Sequence, residues 1–255
     1  MRGNRPESPG LGFSTAVGVL RPVVKTLASR TYRGTENVPS EGGAILVFNH
    51  ISHLDPLVTG LFVYEQGHLP RYLVKEALFR TKVLGHLLDQ AEQIPVARLT
   101  SEAVNAYQAA VDAIAAGKLV GVYPEGTLTR DPDLWPMRGK SGAARIALAT
   151  GAPVIPVAHW GIQDVLPPYG RKPDVWPRKH VEVVAGEPVD LDDLRGLEVT
   201  AEVVARATDR IMAALVSMVE ELRGEKAPVE RFDPRRAGVA PIGNPHQTQK
   251  DGDDA

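Results

Sequence analysis

Short apolar runs separated by helical patterns constrain this chain most. "AILVF" (44–48), "LVGVY" (119–123), "PVIPVAH" (153–159) and "VEVVAG" (181–186) are too short for buried helices and are bounded by glycine or proline, so they read as buried strands. "RYLV" (71–74) is a further run of this kind. Between the runs, residues 56–63, 101–116, 139–149 and 200–222 have helical character. In the second of these, Val104, Tyr107, Val111 and Ile114 form an apolar stripe, Thr100 or Ser101 can cap the start and Gly117 ends it. Strands that alternate with helices predict an α/β fold, a single-domain mixed sheet flanked by helices, over residues 32–223.

The two ends differ from this middle. Residues 1–10 read as a flexible arm. Residues 11–30 place Phe13, Val17, Leu20, Val24 and Leu27 on one helical face and Arg21, Lys25 and Arg30 elsewhere, with Pro22 interrupting. A basic amphipathic helix of this kind either lies in a membrane interface or docks on its own domain. Residues 224–255 are rich in proline, glycine and polar side chains and are expected to form a disordered tail. Composition excludes some functions. A hydrophobic fraction of 43% over 255 residues supports a core, and a net charge of -2 gives no signature of nucleic-acid binding. The absence of cysteine removes disulfides, thiolate metal sites and a cysteine nucleophile. No run approaches the roughly 20 apolar residues of a membrane span, and no secretory signal pattern opens the chain.

"FNHISHLDP" (48–56) follows the first apolar run. A helix must begin here. Either Ser52 caps it with Asp55 reaching back, or Asp55 is the cap and Pro56 the first helical residue. Helix geometry accounts for Ser52, Asp55 and Pro56 but leaves His50 unexplained. His50 stands at the carboxyl end of a buried strand, where open α/β sheets bind ligands. An imidazole there can act as a general base, with a nearby carboxylate fixing its tautomer. The spacing H-x-x-H-x-D matches no zinc pattern, so a metal is not expected, and His53 reads as an exposed first-turn residue.

"VYPEGTLTR" (122–130) ends another strand, with Pro124 halting the ladder and Gly126 allowing a tight turn. It reads as a plain charged turn or as an anion cradle of backbone N–H groups, Glu125, Thr127, Thr129 and Arg130. "MRGKSGAARIAL" (137–148) contains G-K-S, but Leu134 stands where a phosphate loop needs its first glycine. Arg138 and Lys140, near a helix start, could still assist an anion. Neither a G-x-S-x-G nucleophile elbow nor a G-x-G-x-x-G dinucleotide loop occurs.

Taken together, these blocks resemble the glycerolipid acyltransferase family, most closely its bacterial 1-acylglycerol-3-phosphate type. "NHISHLD" (49–55) resembles the family's N-H-x4-D signature, and "YPEGTLTR" (123–130) its F-P-E-G-T-R-S block. "LVKEAL" (73–78), "IPVAR" (94–98) and "APVIPVA" (152–158) resemble its remaining blocks, and "EGTLTRDPDLWPMRGK" has an actinobacterial character. The resemblance implies acyl transfer from acyl-CoA or acyl carrier protein to the free hydroxyl of a lysophosphatidate acceptor at a membrane surface, with no cofactor. It makes His50 the general base and Asp55 its orienting partner. It makes Lys75, Arg98 and Arg130 the phosphate-binding cations, Gly126 and Thr127 hydrogen-bond donors, and Glu125 the residue that orders their loop. It implies a peripheral or monotopic protein on the cytoplasmic face of the cell membrane. Leu128 departs from the family's arginine after E-G-T, with Arg130 two positions on, so another lysophospholipid or glycolipid acceptor is an alternative. A non-catalytic lipid-binding protein is a further alternative, but it would have no need of the base.

Overall fold

A computed structural model describes residues 11–96 and 102–240 of the chain. They form one mixed sheet of seven strands: β1 (Ala28–Arg33), β2 (Ala44–Phe48), β3 (Arg71–Lys75), β4 (Ile94–Val96), β5 (Leu119–Val122), β6 (Val154–Trp160) and β7 (Lys179–Ala185). The spatial order is β1-β7-β6-β2-β5-β3-β4. The helices are α1 (Leu11–Leu27), α2 (Asp55–Glu65), α3 (Lys82–Gln90), α4 (Glu102–Ala115), α5 (Gly142–Thr150) and α6 (Ala201–Arg223).

Strand β2 shows why this sequence makes this sheet. All five of its residues are buried. Leu46 and Phe48 pack with Val58 and Phe62 of α2, while Ile45 and Val47 pack with side chains of α4, α5 and α6. A strand covered on both faces must be apolar throughout, which is the pattern of "AILVF". Each large side chain buried this way stabilises the fold by about 1.5–3 kcal/mol. Gly121 on β5 has a spatial role. A Cβ there would stand 2.6 Å from Tyr72 Cδ1, so glycine lets the Tyr72 ring cross over β5.

The topology brings one set of loops together. β2 lies between β5 and β6 and is parallel to both, so the carboxyl ends of all three open at one edge. β7 runs antiparallel to β6, and β1 runs parallel to β7 at the sheet's rim.

Several elements differ from the sequence reading. The first helix stops at Leu27, and Ala28–Arg33 becomes an edge strand in register from Ala28↔Lys179 to Arg33↔Val184. Pairing with β7 satisfies the backbone there, overriding the helical period. β4 and α3 were not foreseen. Residues 224–240 lie on the domain: Phe232 O accepts from Arg138 N (2.9 Å) and Asp233 pairs with the Arg138 guanidinium (2.9 Å). The expected arm at 1–10, the distal tail at 241–255 and the expected caps Thr100 and Ser101 lie outside the described residues.

Candidate active site

His50 stands two residues beyond β2, and Asp55 opens α2. His50 Nδ1 lies 2.8 Å from Asp55 Oδ2. The same oxygen accepts the N–H groups of Ile51 (2.6 Å) and Ser52 (2.9 Å). A carboxylate only accepts, so Nδ1 carries the proton and Nε2 keeps its lone pair. The Asp55 side chain is wholly buried, whereas that of His50 is 17% exposed. Neither expected cap forms: Leu54 is the N-cap of α2 with no side-chain cap bond, Asp55 is the first helical residue, and Ser52 Oγ accepts from Leu54 N (3.2 Å). One carboxylate oxygen at the first residue of α2 therefore holds both the imidazole and the loop that leads into the helix.

Aromatic rings back the imidazole. The His50 ring packs on Tyr123 with centroids 4.3 Å apart, and Tyr123 stacks on Tyr72 at 5.7 Å. Thr59 Oγ1 lies 2.8 Å and 2.9 Å from the two phenol oxygens, while also bonding Asp55 O (2.9 Å). Burial drives the pKa of both tyrosines upward, so this support stays neutral.

The β5 loop grips the backbone of His50 from both sides. Glu125 Oε1 accepts His50 N (3.0 Å), and Thr129 N donates to His50 O (2.7 Å). The other Glu125 oxygen accepts Met137 N (3.0 Å), which ties down the far end of the loop. Burial pushes Glu125 up to about 8, against the downward pull of the Met137 and His50 N–H groups and the Thr129 hydroxyl. Gly126 turns the loop with φ 70°, a left-handed conformation suited to glycine.

From β6 comes His159, fully buried. Asn49 Nδ2 donates to His159 O and Asn49 Oδ1 accepts His159 N, each at 2.9 Å. His159 Nε2 lies 2.9 Å from Asn49 O and 3.8 Å from Asp55 Oδ1. Burial lowers its pKa, favouring a neutral ring. With its proton on Nε2, that ring donates to the Asn49 carbonyl.

The acyltransferase family profile matches residues 29–160, the stretch from the first strand to the end of β6. The chain belongs to the acyltransferase family. It is 28% identical over 193 residues to a 1-acyl-sn-glycerol-3-phosphate acyltransferase of Bacillus subtilis, covering 74% of this chain and 86% of that protein. A protein of the same description from Borreliella burgdorferi is 31% identical over 125 residues, covering 49% of this chain and 48% of that one. Among solved structures, the 1-acyl-sn-glycerophosphate acyltransferase PlsC of Thermotoga maritima shares the fold, with a TM-score of 0.64 at 23% identity, covering 85% of this chain and 81% of that one.

In this acyltransferase the other expected site residues are dispersed. Thr127 is half-buried in the β5 loop. Arg130 is buried, its guanidinium 5.2 Å from the Tyr169 ring centre. Lys75 is exposed at the carboxyl end of β3, one strand beyond β5 from the dyad. Arg98 lies outside the described residues. His53 is exposed and stands edge-on to Tyr169 at 6.2 Å. Tyr123, Met137 and His159 were not singled out from sequence. Strand order and a loop closure bring Tyr123 to His50, His159 to Asp55 and Met137 to Glu125, and these leave no local spacing to read.

Proposed function

We propose that this acyltransferase moves a fatty acyl chain from a thioester, acyl-CoA or acyl carrier protein, to the free hydroxyl of 1-acylglycerol-3-phosphate, giving phosphatidic acid for phospholipid synthesis. One observation carries the mechanism: the 2.8 Å contact of His50 Nδ1 with Asp55 Oδ2, which leaves Nε2 as a base. Nε2 takes the proton of the acceptor hydroxyl as its oxygen attacks the thioester carbonyl carbon. The tetrahedral intermediate collapses, the C–S bond breaks, and the leaving thiolate takes the proton back from His50. A thioester is reactive enough for direct attack, so no acyl-enzyme is needed. The acceptor supported by the relatives' descriptions is 1-acylglycerol-3-phosphate.

The protein would work on the cytoplasmic face of a membrane, as a peripheral or monotopic enzyme. Among the described residues no helix is long and apolar enough to cross a bilayer. Exposed Val23 on α1, together with Val175 and the 84% exposed Trp176, supplies apolar contacts. Arg178 donates to Lys25 O (2.6 Å), which holds the Trp176 loop against the end of α1 beside Arg21 and Lys25. Exposed apolar tips of this kind suit a membrane interface.

The test mixes acyl-CoA, lysophosphatidate and enzyme and follows free thiol. Thiol release that requires lysophosphatidate is expected; release at the same rate without an acceptor would contradict the reading. Asp55→Asn should lower kcat by about 10²–10⁴-fold, because an amide nitrogen facing His50 or the backbone donors breaks the orientation of the ring. Wild-type turnover in that variant would remove Asp55 from the mechanism.

A further inference from the structure

Behind Glu125 lies a cavity of about 230 Å³ that no step above uses. Its wall is built from two distant parts of the chain. Arg138, Gly139 and Lys140 come from the loop before α5, while Asp233, Pro234 and Arg235 come from the segment after α6. That segment is anchored by the bond of Arg138 N to Phe232 O (2.9 Å), the Arg138–Asp233 ion pair (2.9 Å) and a pairing of Arg231 with Asp209. Asp233 Oδ1 also accepts Arg235 N (2.9 Å), which turns the chain so that Arg235 faces the opening.

Charge and position both point to an anionic ligand. Arg138 and Asp233 offset one another as an ion pair, so the positive excess of the lining comes from Lys140 and Arg235. The remaining carboxyl group, Glu125, is buried with both oxygens accepting backbone N–H groups. The Lys140 ammonium lies against the turn of the β5 loop: a Cβ on Gly126 would stand 2.5 Å from Lys140 Nζ. The expected headgroup cation Arg130 packs on Tyr169 and does not line this space. The volume far exceeds the roughly 10–15 Å³ that one water needs, so a phosphate and the carbons attached to it fit. Glu125 lines this space and also accepts the backbone N–H of His50, so the wall of the cavity is one hydrogen bond from the residue that carries the base.

We propose that this cavity binds a phosphate ester of a substrate, with Arg235 as a specificity-determining residue supplied by the C-terminal segment. The assignment deepens the acyl-transfer reading and rests on it. The phosphate belongs either to the lysophosphatidate acceptor or to the CoA donor, and Arg235→Gln separates the two. This side chain is exposed, so the variant should fold. If the acceptor is bound, its KM rises about tenfold with kcat and the donor KM held. If the donor is bound, the acyl-CoA KM rises instead. Arg235→Lys should recover much of the loss because it keeps the charge. A direct arm uses inorganic phosphate, which should raise the melting temperature of the full-length protein and do so less in Arg235→Gln. Unchanged KM values for both substrates with an unchanged phosphate shift would overturn the proposal. A wild-type protein that releases no thiol would defeat the functional reading, while the phosphate arm would still decide the cavity.

Discussion

Replacing His50 with alanine is expected to lower kcat by about 10²–10⁴-fold and to leave the fold intact. His159 cannot replace the lost base, since it is wholly buried with its Nε2 on the Asn49 carbonyl. The fold survives because Asp55 Oδ2 keeps the N–H groups of Ile51 and Ser52 when the imidazole is gone. The main loss is ring contact with Tyr123. Thiol release at saturating substrate measures the first effect and thermal unfolding the second. His53→Ala is the matched control, since that ring is exposed and touches Tyr169 rather than the dyad. A His50→Ala protein with full turnover would sink the mechanism.

Glu125→Ala is expected to destabilise the protein by about 3–5 kcal/mol, from two backbone N–H groups left without acceptors at roughly 1–3 kcal/mol each and a vacated buried site. The N–H groups are those of His50 and Met137, and Glu125 is 1% exposed. Activity should fall further than stability explains, because the backbone of His50 then loses one of its two fixings. Glu125→Gln separates the contributions. Its one carbonyl oxygen can serve one N–H, while its NH₂ confronts the other donor, so an intermediate loss is expected. Urea unfolding measures the stability effect. An alanine variant with an unchanged midpoint would mean the clamp contributes little.

The parts of the fold legible in the sequence are those where one residue pattern has one physical cause. β2, β5 and β6 are covered on both faces and therefore appear as unbroken apolar runs. β1, "ASRTYR", lies at the rim with a half-open burial pattern, and its polar residues hid it inside an apparent helix. α3 exposes Leu84 and Leu87, so its apolar spacing does not report a core. The site divides in the same way. His50 and Asp55 meet across five residues and were legible as a pair. The Glu125 clamp spans 75 residues and the Asn49–His159 exchange 110, so only the strand order β6-β2-β5 brings them together. Glu125 was visible as a residue, yet its two backbone acceptor roles were not. Arg130 appeared as an open cation for an anion, and its burial against Tyr169 depends on a loop that spacing does not describe.

Two buried neighbours of the dyad titrate in opposite senses, and this bears on how a pH–rate curve of the enzyme should be interpreted. The folded pKa of Glu125 is raised from 4.5 to about 8. Its contribution to stability is complete below pH 4.5 and is lost as the solution passes through 8. The folded pKa of His159 is lowered from 6.5, so its contribution is present above that value and is lost as pH falls through the lower folded one. The acid and alkaline limbs of the curve will thus carry the loosening of the scaffold as well as the ionisation of the base. Measuring unfolding beside turnover at each pH would separate chemistry from collapse.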